Sequence, residues 1–272
     1  MAKDLVSIIM LSHEKGEYAQ DTVRSVFAQT YRNWEIIFMD DSSKDDTISV
    51  MMSLMEEDKA LRSKETGKTI YSSRIHVSQN VRKRGFGVSV NSALRDAKGR
   101  WIAFLNVGDL WEPEKLERQI AFMEENGYAF SYTRFGIIDE RGEDRGVVVG
   151  GKPHITYREM QKCCWPGYLT VMYDASVVGR MQVRNLGRNN DYALWLNVSE
   201  KVDCHLLKDC LAKHRTPWGM IGGLLLTDKM KWRYECYRIE EDLGQFRSLL
   251  YTVRNGLYGV WKWLRYVERV KS

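Results

Sequence analysis

The stretch Trp101-Ile-Ala-Phe-Leu-Asn-Val-Gly-Asp-Leu-Trp111 decides the fold of this chain. Residues 101–105 form an apolar run typical of a buried strand, and the run ends at a small polar corner, residues 106–109. A helix is predicted to follow, because Pro113 and its acidic neighbours suit a first helical turn. In an open α/β sheet, ligands bind at the corner after the carboxyl end of a strand. The sequence therefore predicts that this corner lies at the functional site.

Two earlier apolar runs predict that the strand belongs to a parallel sheet. Residues 5–11 and 34–39 read as buried strands, and residues 18–29 between them have the apolar spacing of a helix. Alternation of strand, helix and strand implies parallel pairing with right-handed crossovers. Residues 12–16 form the loop that leaves the first strand, and residues 40–47 form a polar loop that opens another helix. The pattern predicts an α/β fold.

Composition is typical of a soluble globular protein. The chain has 272 residues, of which 44% are hydrophobic and 28% charged. The N-terminus lacks the features of a signal peptide, and no run approaches the roughly 20 apolar residues that span a bilayer. The five cysteines are odd in number and scattered, which disfavours a disulfide framework and indicates a reducing, cytoplasmic compartment. The spacing of Cys204, His205 and Cys210 fits no usual zinc site.

Positive charge is concentrated at the C-terminal end. Residues 229–272 carry ten basic and five acidic side chains, so the whole formal net charge of +5 lies there. This distribution indicates an anionic partner for the tail. The absence of a recognition motif argues against nucleic acid as that partner.

The tail is predicted to be helical, with an apolar stripe along one face. The stripe can pack on the rest of the protein, or it can lie on an anionic membrane surface through residues 249–272. Trp261 and Trp263, flanked by Lys262 and Arg265, fit an interfacial helix on such a membrane.

Several motifs, taken in their order and spacing, resemble one known family. Besides the stretch 101–111, they are Val6-Ser-Ile-Ile-Met10, Ser25-Val-Phe-Ala-Gln-Thr-Tyr31, Asp40-Asp-Ser-Ser-Lys-Asp45 and Asp191-Tyr-Ala-Leu-Trp-Leu196. With these residues the chain resembles the inverting glycosyltransferases of family 2, which have a GT-A fold and build bacterial surface polysaccharides.

The resemblance implies a fold, a reaction and a location. The expected fold is a Rossmann-like GT-A domain over residues 1–222, with a mixed central sheet flanked by helices, followed by a helical tail over residues 223–272. The expected reaction transfers a sugar from a nucleotide-sugar, most simply a UDP-sugar, to a hydroxyl of a growing, lipid-linked glycan. Such an acceptor is carried by a polyprenyl lipid, which places the protein at the cytoplasmic face of the cell membrane.

The resemblance also assigns residues to the nucleotide of the donor. Ser12 and His13 would frame the nucleobase, and Asp41 would accept a hydrogen bond from the uracil N3–H. Asp41 can instead cap the helix that follows it. Arg84 would approach the base or the diphosphate, or it is a solvated charge in a basic run.

The corner at 106–109 departs from the family pattern Asp-x-Asp-Asp. Asn106 can still hydrogen-bond a ribose hydroxyl, but Gly108 cannot ligate the Mg²⁺ or Mn²⁺ that such enzymes use at the diphosphate. Either Asp109 supplies a metal ligand, or cations such as Arg84 and Arg215 replace the metal, or the protein turns over poorly. The last reading allows a catalytically impaired homologue that acts as a binding or scaffold subunit.

Asp191 matches the family's catalytic base. An inverting transferase needs one carboxylate to take the proton from the attacking hydroxyl. The alternative is that Asp191 caps the helix that it opens. Asn190 stands where the family usually has an acid. His214, beside Arg215, is predicted to be a surface histidine.

Overall fold

The structure is a computed structural model that describes residues 2–65, 72–186, 190–216 and 226–269. Its strands are β1 (Ala2–Ser12), β2 (Trp34–Asp40), β3 (Ile75–Gln79), β4 (Gly99–Asn106), β5 (Leu110–Trp111), β6 (Phe130–Ile138), β7 (Asp144–Val149), β8 (His154–Ile155), β9 (Met172–Asp174), β10 (Cys204–Arg215) and β11 (Val267–Arg269). Its helices are α1 (Gly16–Phe27), α2 (Thr47–Glu65), α3 (Phe86–Asp96), α4 (Lys115–Asn126), α5 (Tyr157–Met160), α6 (Ala175–Val178), α7 (Asn190–Ser199), α8 (Leu226–Ile239) and α9 (Gln245–Tyr266).

The strands form a mixed sheet with the order β11-β7-β6-β9-β4-β1-β2-β3. Strand β1 pairs in parallel with β2 on one side and with β4 on the other. The register sets Ser12 beside Asp40 and Leu11 beside Asn106, so the carboxyl ends of three strands meet at one edge. Strands β9, β7 and β11 add antiparallel pairs. The predicted α/β fold with a mixed central sheet is confirmed.

The sheet is buried on both faces because its central strands are apolar throughout. Alternate residues of β1 enter two separate cores: Ile8 packs on the side of α1 and α4, whereas Ile9 packs on the side of α3 and α7. Trp195 of α7 is fully buried against Phe104 of β4, with ring centroids 5.0 Å apart. Burying a side chain of this size contributes about 2–3 kcal/mol. The helix that carries Asp191 is therefore fixed to the centre of the sheet.

The C-terminal segment joins the same sheet. Helices α8 and α9 pack on each other, and β11 pairs antiparallel with β7 at the edge of the sheet. The predicted domain boundary at 222/223 falls within residues 217–225, which lie outside the described residues.

Helix α9 packs with its polar face inward. Its buried residues are Ser248, Thr252 and Asn255, while its apolar stripe faces outward. Leu257 and Leu264 are 68% and 69% exposed. Of the two arrangements that the sequence allows, the structure shows most of the stripe exposed, whereas Trp261 packs against the buried Trp165 with ring centroids 5.9 Å apart. Within the described residues, no helix combines the length and hydropathy needed to cross a bilayer.

Candidate functional site

A cavity of about 620 Å³ opens at the edge where the carboxyl ends of β1, β2 and β4 meet. Its size suits a small-molecule ligand. Seven of the residues singled out in the sequence line it together: Ser12, His13, Asp41, Asn106, Asp109, Asp191 and Arg215. They come from strand ends and one helix start that are far apart in the chain, and the sheet topology brings them to one place.

Two polar atoms at the end of β1 have no hydrogen-bond partner within the described residues. They are the hydroxyl of Ser12 and Nδ1 of His13, and both are buried. The other ring nitrogen of His13 lies 2.7 Å from Nζ of Lys83. A buried polar group without a partner costs free energy, so a ligand that pairs with these atoms is favoured.

Asp41 holds the basic loop against the end of β2. Its Oδ1 accepts hydrogen bonds from Asn80 Nδ2 and from the backbone N–H of Arg84, and its Oδ2 accepts from the N–H of Gly85. Burial favours the protonated form, but these donors more than offset it and lower the pKa of Asp41. Helix α2 is capped by Asp45, whose carboxylate accepts from the Thr47 N–H at 3.1 Å. The carboxylate of Asp41 therefore stays ionised at the cavity wall.

Arg84 contributes its backbone to this arrangement. Its N–H is bound by Asp41, and its exposed side chain is not among those that line the cavity. The neighbouring Lys83 lines the cavity in its place. Of the two cations proposed from the sequence, only Arg215 has its side chain in the cavity wall.

The corner after β4 is organised by backbone hydrogen bonds. Gly108 has a φ of +108°, in the left-handed region that favours glycine. The Thr22 hydroxyl accepts from the Gly108 N–H and donates to the Asp109 carbonyl, both at 3.0 Å. The Gly108 carbonyl accepts from Nε of Arg215 at 2.9 Å. The position that carries an acid in the resembled family is thus a backbone contact for a cation.

Arg215 is a fixed positive charge in the cavity wall. Its side chain is only 6% exposed, and its guanidinium lies 4.6 Å from the centre of the Tyr18 ring. Besides Gly108, it donates to the neutral Glu140 carbonyl at 2.9 Å. Within the described residues its guanidinium pairs with one carboxylate, that of the exposed Asp21, 3.4 Å away. Most of its charge is therefore available to an anionic ligand.

Asp109 is paired with His214. Its Oδ1 lies 2.8 Å from Nδ1 of His214 and accepts from the Arg215 N–H at 3.1 Å. Burial disfavours the charged imidazole, but the Asp109 carboxylate more than offsets this and raises the pKa of His214. His214 is half-exposed, as a surface histidine is, but it also lines the cavity.

The residues present do not fit a metal that is held by protein ligands alone. Gly108 has no side chain, and the side chains of Asp109 and His214 are hydrogen-bonded to each other. Within the described residues, no group of three His, Cys, Asp or Glu side chains could hold a metal ion. Arg215 is a positive charge in the cavity wall at this place.

Asp191 lies in the first turn of α7 and lines the same cavity as the corner at 106–109. Burial raises its pKa, while the N–H of Tyr192 and the positive charge of Arg233 oppose that rise. Asn190 is buried, and its amide bonds both backbone groups of Leu186 at 2.9–3.0 Å. The cavity therefore contains a carboxylate that can accept a proton nearer neutral pH than an ordinary aspartate.

Several cavity residues were missed in the sequence, among them Lys83, Tyr18 and Glu140. Lys83 is adjacent to the residue that was chosen, and a run of three cations offered no basis for preferring it. Tyr18 lies one helical turn before Thr22, and its aromatic ring was the signal that could have drawn attention to it. Glu140 acts on Arg215 through its backbone carbonyl, so its side-chain type carries no signal.

Comparison with known proteins gives relatives and solved structures. The model of the family described as "Glycosyl transferase family 2" matches residues 7–185. The "Putative teichuronic acid biosynthesis glycosyltransferase TuaG" of Bacillus subtilis is 34% identical over 230 residues, which are 84% of each chain. The "UDP-Glc:alpha-D-GlcNAc-diphosphoundecaprenol beta-1,3-glucosyltransferase WfaP" of Escherichia coli is 36% identical over 201 residues, or 73% of this chain and 71% of WfaP.

Among solved structures, residues 1–349 of S. aureus TarS in complex with UDP-GlcNAc superpose with a TM-score of 0.63 at 17% identity, covering 89% of this chain and 69% of that one. The mannosyltransferase PcManGT from Pyrobaculum calidifontis, in complex with GDP-Man and Mn²⁺, has a TM-score of 0.66 at 12% identity, covering 96% and 72%. At these identities the likeness is one of fold, and it confirms the GT-A fold.

Proposed function

Because the chain belongs to glycosyl transferase family 2, we propose that it transfers a sugar from a nucleotide-sugar donor, a UDP-sugar, to a hydroxyl of a growing lipid-linked surface glycan, with inversion at the anomeric carbon. The observation that carries this proposal is the cavity that unites Asp41, Asn106 and Arg215 with Asp191. These residues are the ones required for a nucleotide, a diphosphate and an attacking hydroxyl.

Two relatives support the choice of substrates. The name of WfaP gives UDP-Glc as donor, a sugar on diphosphoundecaprenol as acceptor and a β linkage as product. A β linkage formed from an α-linked nucleotide-sugar is inversion. The name of TuaG places that relative in teichuronic acid biosynthesis. A polyprenyl-diphosphate-linked sugar is therefore the acceptor that we propose here.

The nucleotide would lie along the ends of β1, β2 and β4. Ser12 and His13 offer unpaired polar atoms to the base. Oδ2 of Asp41 accepts from the Gly85 N–H, and the carboxylate would also accept from the uracil N3–H. Asn106 would hold the ribose. Arg215 would then meet the diphosphate.

The chemistry that we propose needs one proton acceptor and one fixed cation. Asp191 takes the proton from the acceptor hydroxyl as its oxygen attacks the anomeric carbon. A raised pKa suits this role, because a base works best when its pKa approaches the working pH. Arg215 stabilises the negative charge that develops on the departing nucleoside diphosphate. Asp109 orients this end of the site by accepting from the Arg215 N–H.

The exposed stripe of α9 would lie on the anionic inner surface of the cell membrane. Helix α9 contains Arg247, Arg254, Lys262 and Arg265 and no acidic residue. Arg254 and Lys262 donate to carbonyls of residues 161–165, so Arg247 and Arg265 are the exposed cations of the helix that complement anionic lipid. Trp261 and Trp263 are 41% and 53% exposed, as is usual for rings at a membrane interface. Contact of this kind brings the cavity to a lipid-linked acceptor.

Calorimetry with UDP and GDP, each with and without Mn²⁺, tests the donor site. We expect UDP to bind more tightly than GDP, with an affinity that Mn²⁺ changes by less than about threefold, because Arg215 supplies the cation. UDP binding that tightens strongly with Mn²⁺ would restore a metal to the mechanism. If folded protein binds neither nucleotide, the transferase proposal fails and the scaffold reading replaces it.

Flotation with lipid vesicles tests the membrane contact. We expect binding to vesicles that contain phosphatidylglycerol and little binding to pure phosphatidylcholine. The double variant Leu257→Glu/Leu264→Glu should lose that binding and keep its fold. A wild-type dimer that the double variant abolishes, together with no vesicle binding, would assign the stripe to a second copy of the chain and contradict the membrane contact.

A further inference from the structure

The buried face of α9 is polar, and one residue at its centre is fully satisfied by hydrogen bonds. Asn255 is completely buried. Its Nδ2 donates to the hydroxyls of Tyr192 at 3.1 Å and Tyr237 at 2.9 Å, and its Oδ1 accepts from the guanidinium of Arg233. Every donor and acceptor of the amide is thus used. An apolar residue would fill the same space without the cost of burying an amide.

This network ends beside Asp191. Tyr192 follows Asp191 in α7, and its hydroxyl also donates to the Met160 carbonyl at 2.8 Å. The hydroxyl of Tyr237 donates to the Gln161 carbonyl at 2.7 Å. Each tyrosine therefore accepts from Asn255 and donates to a carbonyl, which fixes both rings. The backbone of α7 is held at the residue next to the base.

The same amide holds a cation near the base. The guanidinium of Arg233 lies 5.8 Å from the centre of the Tyr192 ring, and it acts electrostatically on Asp191. Within the described part of the chain it pairs with no carboxylate. Its hydrogen bond to Asn255 is what fixes its direction.

We propose that Asn255 is a positioning residue for the catalytic base: from the helix that exposes the apolar stripe, it holds Tyr192 and Arg233, and through them the direction and the charge environment of Asp191. This inference rests on the proposed function, in which Asp191 is the base. It gives α9 two faces with separate tasks, one for the lipid surface and one for the catalytic helix.

The groups that act on Asp191 come from two packed segments. Arg233 and Cys236 belong to α8, and Cys164 and Tyr168 belong to the segment before β9. Arg233 is the cation in this set, and the others are neutral at the working pH because burial raises their pKa. Releasing Arg233 removes the charge that opposes burial, so the pKa of Asp191 should rise further.

The experiment compares Asn255→Leu with Thr252→Val in the full chain. Thr252 lies on the same buried face, one turn earlier, and its hydroxyl bonds only the Ser248 carbonyl within α9. The Asp191 carboxyl is titrated by ¹³C NMR, with Asp191→Asn to assign its signal. We expect Asn255→Leu to raise the pH of half-titration by about one unit, as loss of a nearby opposite charge does. Thr252→Val should leave it unchanged.

Turnover with a lipid-linked acceptor is the second readout. We expect Asn255→Leu to lower kcat roughly 10- to 100-fold, because a displaced base costs this much, while KM for the donor and the affinity for UDP stay as in the wild type. Thr252→Val should keep kcat within about twofold. Should Asn255→Leu fail to fold, Arg233→Met replaces it, with the same expected shift in the titration of Asp191.

An Asp191 carboxyl that titrates at the wild-type pH in folded Asn255→Leu, or in Arg233→Met, would overturn the inference. Failure of the proposed function has a different signature. In that case the wild type transfers no sugar, but the NMR titration still decides whether Asn255 governs the environment of Asp191.

Discussion

Asp41 and Asp191 are the same residue type in opposite surroundings in the wall of one cavity. Asp41, with Ser12, His13, Asn106, Asp109 and Arg215, forms what we name the donor end. There, N–H donors lower the pKa of Asp41 despite its burial. Asp191 and Asn190 form the base end, where burial outweighs the opposing groups and raises the pKa of Asp191. Environments that push the pKa values of two carboxyl groups apart in this way indicate different roles for the two groups.

The contrast separates a preorganised region from a reactive one. At the donor end, Asp41, Asp109 and Arg215 are already bonded by backbone groups, so a ligand meets charges whose positions are set. At the base end, Asp191 keeps a carboxylate whose proton affinity is raised. A transferase needs both: fixed charges stabilise the leaving group without reorganisation, and the base must change its protonation state.

Asp191→Asn removes the proton acceptor of the base end and should have the largest effect on kcat. We expect kcat to fall about 10²–10⁴-fold, because the amide cannot take the proton. The wild-type kcat should rise with pH through a pKa above that of an ordinary aspartate. Stability at neutral pH should be equal or higher in the variant, since a carboxylate whose folded-state pKa is raised destabilises the fold above its unfolded pKa.

Initial rates at several pH values measure kcat and its pH dependence, and thermal unfolding measures stability. Calorimetry measures the affinity for UDP. The affinity for UDP should match that of the wild type. Substantial activity in Asp191→Asn would assign the proton to another group and remove the contrast between the two ends.

Arg215→Met tests the donor end. We expect kcat/KM for the donor to fall about 10²–10³-fold, the usual cost of losing one donor to a developing anion. The kcat/KM of Arg215→Lys should lie between those of the wild type and Arg215→Met. Lysine keeps the charge but loses the guanidinium that hydrogen-bonds the carbonyls of Gly108 and Glu140. Initial rates at varied donor concentration in Mn²⁺-free buffer measure the effect. A kcat/KM within twofold of the wild type in Arg215→Met would mean that another cation neutralises the diphosphate.

Much of this contrast could be predicted from the sequence. Apolar runs with helices between them predict parallel strands, and parallel strands carry their polar ends to one edge. That reasoning placed the corner at 106–109 at the site, and the resemblance added Asp41. The roles given to Asp41 and Asp191 came from the resemblance, and they stay predictions until the variants are measured.

Other features depend on contacts that no local pattern contains. Lys83 rather than Arg84 lines the cavity because Asp41 binds the Arg84 N–H. The pair of Asp109 and His214 joins positions 105 residues apart. The periodicity of α9 locates its apolar stripe, but which face meets the protein depends on Asn255 and on tyrosines from α7 and α8.

Asp41→Asn tests the donor end through the free energy of unfolding and its dependence on pH. We expect a loss of about 1–3 kcal/mol at neutral pH, because an amide nitrogen replaces an acceptor that bonds backbone N–H groups. A depressed folded-state pKa contributes stability above the unfolded pKa and loses it as the pH falls through the folded value. The difference from the wild type should therefore shrink below about pH 4. Denaturant unfolding at pH 7 and pH 3 measures it. An equal difference at both pH values would contradict the assignment.

Gly108→Ala and Gly108→Asp test whether the donor end is a cation site or a metal site that lacks a ligand. A Cβ at position 108 would have open space, with Tyr18 Cδ2 nearest at 3.8 Å, so the cost is the positive φ alone, about 1–2 kcal/mol. Both variants should lose this stability in thermal unfolding. The added carboxylate would point toward Tyr18, over which Arg215 lies, and would neutralise that guanidinium.

Gly108→Asp should therefore bind UDP more weakly than Gly108→Ala in Mn²⁺-free calorimetry, and Mn²⁺ should not reverse the order. If Mn²⁺ instead makes Gly108→Asp the tighter binder, residue 108 completes a metal site with Asp109 and His214, and Arg215 is not its replacement. The donor end would then be a metal site that lacks one ligand at position 108, and not a site built around the fixed charge of Arg215.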